Sequence, residues 1–242
     1  MQDNSPKSSQ RDRAEQTRKA ILDAAIREFS AHGLSGARTE AIAESAGANK
    51  ALLYYYFKSK KGLYAAAIEA VSSQVAGDAL AALDPAYSAG ERLLRTALNH
   101  FDRILTKREF QSLLQQEMVR FQRDESGSAP LFFQSAFMPL LEKLQGAVAE
   151  GIKKRELCRM DWLQVMYSIF GANVFYFLSA PMVQLALPFK PFDLEALRQR
   201  RVIAVEYLAS ALFRDRAHGA RLAKRVLAAM PMPAIQEFQF RR

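Results

Sequence analysis

The feature that most constrains this chain is its periodicity. Apolar residues recur every three or four positions along nearly its whole length, and Gly or Pro clusters interrupt them. Such spacing lines one face of a helix, whereas a half-buried strand alternates every second residue. The spacing predicts an all-α chain of about nine or ten helices. The first is Ala14–His32, with Ile21, Leu22, Ala25, Ile26 and Phe29 on one face and Gly33 as its stop. Thr39 is read as the N-cap of a two-turn helix ending at Gly47, and Asn49 as the cap of Lys50–Phe57. Ser59 caps a helix from Lys60 to about Leu83. Beyond it come Ala89–Leu105, Arg108–Arg123, Pro130–Glu150, Met160–Ser179 and Asp193–Arg214. A polar loop covers 124–128 and a proline-interrupted connector Ala180–Pro191, and a further basic helix follows Arg214.

A chain of 242 residues, 50% hydrophobic and 24% charged, is long enough for a buried core and has a globular composition. Its net charge of +9 is unevenly placed. Residues 1–75 hold 11 basic and 8 acidic side chains, 76–213 hold 16 and 15, and 214–242 hold 7 and 2. The excess lies at the two ends, which suits an anionic partner such as nucleic acid or a membrane surface. A lone cysteine, Cys158, excludes a disulfide within one chain and fits a cytoplasmic protein. His32, His100 and His218 stand far apart, with no nucleophile motif and no phosphate-cradling glycine motif near them. The expectation is therefore no enzyme, no cofactor and no metal. Trp162 to Phe189 carries no charge and is long enough to span a bilayer. Gln164, Asn173, Gln184, Pro181 and Pro188 interrupt it, so a buried core helix is expected and no membrane partner.

The segment Thr39–Lys61 is the sharpest signal. Two short helices meet at Ala46-Gly47-Ala48, where glycine permits the positive φ of a tight turn. The second helix carries Lys50, Tyr54, Tyr55 and Tyr56, and residues 50–61 hold four lysines and no acid. Lysine and tyrosine donate to phosphate oxygens, and a capped helix start presents free N–H groups to the same acceptors. Singly, these residues read as a cap, a solvated face and packing aromatics. Together, at this spacing, they read as a helix-turn-helix whose second helix enters a major groove.

The run from Ile21-Leu22-Asp23-Ala24-Ala25 through Phe29, Gly33 and Thr39-Glu40-Ala41-Ile42-Ala43 to Leu53-Tyr54-Tyr55-Tyr56-Phe57-Lys58-Ser59-Lys60-Lys61-Gly62-Leu63 closely resembles the TetR family DNA-binding domain. The resemblance covers about residues 14–75. It implies a three-helix head in which Thr39, Lys50, Ala51, Leu52, Tyr54, Tyr55, Tyr56 and Lys60 contact DNA, while Ile42, Leu53, Phe57 and Leu63 pack. Leu52 stands where a small polar residue is common, and Tyr56 where histidine is; Leu52 could read a thymine methyl or pack.

The division implied is an arm over 1–13, the head over 14–75, and a helical ligand-binding and dimerisation domain over 76–242. The resemblance implies a homodimeric repressor released from a palindromic double-stranded operator by a small hydrophobic or amphipathic effector. An activator or architectural DNA-binding protein without a small ligand is the alternative. Candidate effector-binding residues are Phe101, Gln115, Met118, Phe137, Trp162, Met166, Phe170 and Asn173, with His100, Glu117 and Tyr167 as further polar anchors. The segment Met160–Ser179 is apolar almost all round, and such a helix must be covered on several sides, by core, partner or both.

Overall fold

The helix starts carry the residue types that unsatisfied first-turn N–H groups require. Asn49 Oδ1 accepts from the Leu52 amide at 2.8 Å, Ser59 Oγ from Gly62 at 3.0 Å and Ser88 Oγ from Glu91 at 3.2 Å. Asp161 caps Leu163 and Gln164, and Asp215 caps Ala217 and His218. The computed structural model describes residues 6–125 and 129–235, and among these it holds ten helices. They are α1 (Pro6–Gly36), α2 (Thr39–Ser45), α3 (Lys50–Phe57), α4 (Lys60–Ala82) and α5 (Ala89–Thr106). Then follow α6 (Arg108–Gln122), α7 (Ala129–Lys153), α8 (Trp162–Ala186), α9 (Leu194–Leu212) and α10 (Arg216–Ala229). An isolated bridge joins Leu157 and Phe213.

Three expectations shift. The helix expected from Ala14 already begins at Pro6, so residues 6–13 are helical rather than an irregular arm; residues 1–5 lie outside the described residues. Proline suits a first helical position, and nothing between it and Ala14 breaks the helix. Thr39 is the first residue of α2 rather than its cap: Arg38 occupies the extended cap position (φ −115°, ψ 124°), and its carbonyl accepts from Ile42 at 3.1 Å. Finally, α8 continues through Pro181 and stops at Ala186. The break is set by Pro188, which holds the preceding Leu187 extended (φ −128°, ψ 147°).

The chain forms two units. The first runs to Gln74 and takes in Arg108–Ala136, so α6 groups with the head and not with the remainder of 76–242. Its core is Ile21, Ala25 and Phe29 of α1, Ile42, Leu53, Phe57, and Leu63, Tyr64 and Ile68 of α4. Gly33 (φ 68°, ψ 177°) breaks α1 and leaves the Ser30 carbonyl near the helix end. Ser112 Oγ and Gln116 Nε2 of α6 donate to that carbonyl at 3.0 and 2.8 Å.

The second unit comprises Val75–Lys107 and the chain from Phe137. Leu93, Leu94 and Leu98 of α5, Leu140 and Leu144 of α7, Val165 and Ile169 of α8, and Val205, Leu208 and Leu212 of α9 form its core with Leu222 and Val226 of α10. Arg225 Nη2 reaches Glu91 at 2.7 Å, so one charge of the basic α10 braces the fold, while Arg216, Arg221 and Lys224 are exposed. By length and composition α8 alone among the described helices could cross a membrane, yet only 17% of its most apolar window is buried. Val165, Ile169, Asn173 and Ala180 face inward. The expectation of a core helix therefore holds for one face only, because a single chain supplies only one wall against it.

Arg201 of α9 is buried and forks onto Asp102 of α5, Nε to Oδ1 and Nη2 to Oδ2, both at 2.7 Å, while Nη2 also donates to the Met230 carbonyl at 2.8 Å. Removing one member strands the other charge, which costs about 3–5 kcal/mol, whereas removing both is far milder. Urea unfolding should show Arg201→Leu destabilised on that scale and the Asp102→Leu/Arg201→Leu pair recovering most of the loss. Equal losses in single and double variants would show that the ion pair is not what the site depends on.

Candidate nucleic-acid interface

The turn between α2 and α3 is built from backbone hydrogen bonds. The Ala48 amide donates to the Ala43 carbonyl at 2.9 Å and the Gly47 amide to Glu44 at 3.0 Å, which closes a Schellman motif around Gly47 at φ 61°. After α3, Lys58 adopts φ 65°, ψ −41°, and Ser59 N–H reaches back to the Phe57 carbonyl at 2.7 Å, a γ-turn that an L-residue holds under strain. Gly62 lets α4 start there, because a Cβ on it would lie 2.3 Å from the Phe57 carbonyl oxygen.

These turns fix α3 with Leu53 and Phe57 buried and the opposite side outward. Lys50, Ala51, Leu52, Tyr54 and Tyr55 are exposed, Tyr55 the most at 68%, and Tyr56 is half-buried. Leu52 therefore does not pack in the core. Its outward position leaves a methyl-bearing side chain beside phenol hydroxyls, a mix that matches base edges and sugar-phosphate alike.

Three of the four lysines, Lys50, Lys58 and Lys60, are already engaged. Lys50 Nζ binds Glu40 Oε1 across the α2–α3 turn, and it lies 5.8 Å from the Tyr54 ring centroid. The Lys50 hydrogen bond and charge hold the Glu40 carboxyl down at about 2. Glu40 in turn raises the Lys50 amine. A count of lysines over 50–61 missed this acid, because it comes from the preceding helix; the helix-turn-helix geometry itself, which sets the start of α2 against the start of α3, is the signal that could have found it. Lys60 Nζ donates to the Ser35 carbonyl at 3.1 Å and Lys58 Nζ to the Tyr55 carbonyl at 3.0 Å. Thr39 is 6% exposed, and its hydroxyl lies 3.4 Å from both Tyr54 Oη and Glu40 Oε2. In this geometry it positions Tyr54 and Glu40.

The candidate effector residues separate between the units. Gln115 and Met118 are on α6 in the first. Gln115 lines a groove of about 410 Å³ with His32, Ser35, Ser112, Gln116 and Arg120, and Met118 is exposed. Glu117, in the same unit, is buried and accepts from the Tyr64 hydroxyl at 2.8 Å. The other six are in the second unit. Phe101 is fully buried against Leu105, Leu197 and Phe177. Phe137, Trp162, Met166 and Phe170 are partly buried on the main core. Asn173 Nδ2 donates to the Ala97 carbonyl at 3.1 Å and lies 3.3 Å from His100 Nδ1. Burial, and secondarily the charge of Arg103, push His100 down to about 3, so this imidazole is neutral and accepts at Nδ1. Phe170 meets the His100 ring edge-on at 4.8 Å. Tyr167 is exposed.

A small head whose second short helix points outward from a fixed turn is the helix-turn-helix class of all-α proteins. Residues 21–67 match the family of bacterial regulatory proteins, tetR family. Over 55 residues the chain is 46% identical to the HTH-type transcriptional repressor SCO4008 of Streptomyces coelicolor, covering 23% of this chain and 29% of that protein. Over 54 residues it is 50% identical to the HTH-type transcriptional regulator RutR of Escherichia coli, covering 22% and 26%. The chain thus spans less than a third of the length of these curated relatives. In fold, it is similar to a TetR family transcription regulator from Marinobacter aquaeolei (TM-score 0.61, 23% identity, 84% of this chain and 100% of that one). It is also similar to FadR of Bacillus subtilis, solved in complex with stearoyl-CoA (TM-score 0.60, 20% identity, 79% and 97%). Residues 21–67 thus carry a DNA-binding domain of the tetR family type, and the chain as a whole shares the fold of these regulators.

The two glycines of the head make separable demands. Gly47→Ala meets no atom within 4 Å and suffers only the left-handed backbone, a cost of about 1–2 kcal/mol. Gly62→Ala drives a methyl into a carbonyl and should cost more. Chemical unfolding of both variants checks the order, and a Gly47→Ala loss exceeding that of Gly62→Ala would contradict this account of the turns.

Proposed function

We propose that this chain is a cytoplasmic, homodimeric transcriptional repressor whose two α3 helices read a palindromic operator, and which a small hydrophobic or amphipathic effector releases. The observation that carries the reading is the outward face of α3, Lys50 through Tyr55, held by buried Leu53 and Phe57 on a rigid turn. Ala51, Leu52, Tyr54 and Tyr55 reach base edges and sugar, Tyr56 flanks them, and Lys50 and Lys60 reach phosphates on either side. Thr39 supports Tyr54 from behind. The matched relative SCO4008 is named a repressor, which supports that sign of regulation.

One short helix buries too little surface for specific recognition, and a two-fold pair of heads gains from linked binding. The surface that fits a second copy is the uncovered side of α8 and α9. Tyr167, Phe175, Leu178 and Met182 of α8 are 62–72% exposed, and Tyr207 of α9 is 71% exposed. Contiguous apolar exposure of this kind marks an interaction surface. An effector is supported by the aromatic content of the second unit, and by the stearoyl-CoA held by the FadR structure. Such a ligand releases DNA only if it binds the non-binding state more tightly.

Gel shifts against the chain's own upstream DNA test the reader. Tyr54→Ala/Tyr55→Ala should lose specific binding by at least about tenfold, on the scale of base and sugar contacts worth about 1–3 kcal/mol each. An unchanged shift would remove α3 from the role. Met182→Glu/Tyr207→Glu should elute as a monomer and bind the operator more weakly; retention of the dimer would place the interface elsewhere.

The Glu40–Lys50 pair yields a distinct expectation. On non-specific DNA, where Lys50 stays on Glu40, Glu40→Gln releases it to a phosphate, so non-specific affinity should rise and the slope of log K against log salt should steepen by about 0.9 for the one added contact. A slope identical to that of the wild type would show that Lys50 makes the same contacts with or without its partner.

A further inference from the structure

Several arginines keep one nitrogen out of solvent without a partner, but they differ in what else they bind. Arg92 Nε is unsatisfied, yet that side chain pairs with Glu150; Arg200 Nε is unsatisfied, yet its Nη2 donates to the Ala172 carbonyl at 3.1 Å. Arg103 of α5 is different. Its Nη1 is out of solvent with no partner, and among the described residues its guanidinium makes no hydrogen bond or ion pair at all. One helical turn earlier, Asn99 Oδ1 is also out of solvent and unpartnered. Residues four apart on a helix share a face, so the two orphaned groups stand side by side in the second unit.

The acid that Arg103 feels is Asp78 of α4, but Asp78 Oδ2 is held by Lys107 Nζ at 3.2 Å. Asp78 thus serves Lys107 directly, and an arginine does not lose its proton to adapt. Burial pulls Arg103 down only to about 10, so it stays charged at neutral pH. A guanidinium nitrogen out of solvent with no hydrogen-bond partner is costly to keep and needs an explanation.

We infer that Arg103 and Asn99 are the polar anchor of the effector site, and that they receive an oxyanion, the carboxylate of an amphipathic organic acid. The guanidinium donates to a carboxylate oxygen, and the Asn99 amide, whose two ends interchange by a flip of its side chain, serves the second oxygen or a neighbouring hydroxyl. The assignment rests on the ligand-responsive reading above and supplies its chemical class.

Thermal unfolding of the full chain tests it, in buffer free of sulfate and phosphate, for the wild type and Arg103→Met. Without ligand, Arg103→Met should melt at or above the wild-type temperature, because the substitution removes an uncompensated charge and keeps the stem. Octanoate should raise the wild-type melting temperature by a few degrees and leave Arg103→Met unmoved, while octanamide and octanol shift neither. If sulfate or phosphate alone reproduces the charge-dependent shift, the oxyanion site stands and its occupant is an inorganic anion. The assignment is overturned if octanoate and octanamide act alike on both proteins, if no anion moves the wild type, or if Arg103→Met melts several degrees lower without ligand, which would make Arg103 structural. A gel shift on the same preparations separates this failure from failure of the regulator reading: operator binding intact with no anion effect removes only the anchor.

Discussion

The hydroxyl of Tyr64 donates to the buried Glu117 carboxylate at 2.8 Å, and its ring stands edge-on to Phe29 at 5.0 Å. One side chain of α4 thereby joins the core face of α1 to α6. Burial and then Glu117 push the Tyr64 hydroxyl well above its ordinary range, so it remains a donor at any working pH. The Arg120 guanidinium lies 3.4 Å from Glu117 and 5.6 Å from the Tyr64 ring, which places a compensating charge beside the buried acid. A buried carboxylate needs both, since an unpaired one would sooner take up a proton than stay charged. The helix-turn-helix packs on this assembly through Ile42, Leu53 and Phe57, so the pose of α3 depends on where Tyr64 holds α4.

The second unit shows the same physics settled in two opposite ways on one helix. On α5, Asp102 meets Arg201 with both oxygens engaged by both nitrogens, and the spare valence of that guanidinium goes to Met230. One position later, the Arg103 guanidinium makes no hydrogen bond or ion pair among the described residues, and the acid it feels, Asp78, is bonded to Lys107. Arginine tolerates burial when its fork is filled and not otherwise. The first arrangement joins α5, α9 and the chain after α10 into a rigid frame.

Much of this was legible in the sequence, and the boundaries show why. Apolar spacing and the caps Asn49 and Ser59 give the helices, because both are local signals. Pro181 misleads: a helix can carry a proline at a cost of about 3 kcal/mol, and the stop belongs to Pro188, where the residue before proline is driven extended. The outward face of α3 follows from Leu53 and Phe57 four residues apart. What the sequence withholds is contact between distant segments. Glu40 on Lys50, Tyr64 on Glu117, and Arg201 on Asp102 are separated by 10, 53 and 99 residues. For the same reason Gln115 and Met118 looked like neighbours of Phe170, although α6 sits with the other unit.

The lysines of the head bear on how such a surface discriminates. A free ammonium on a flexible stem is attracted to every phosphate, which raises affinity for all DNA alike. Here Lys50 is held by Glu40, Lys58 by the Tyr55 carbonyl and Lys60 by the Ser35 carbonyl. Each must exchange an acceptor within the protein for one on a phosphate, so the gain per contact is smaller and depends on geometry. The tyrosines and Leu52 carry no charge; Tyr54 is steadied by the Thr39 hydroxyl at 3.4 Å, and the contribution of all of them appears only against a surface that fits. Under the proposed function, restraint of the charges shifts the balance from attraction toward fit. On that reading, a single acid at the start of α2 restrains Lys50 without altering the outward face of α3.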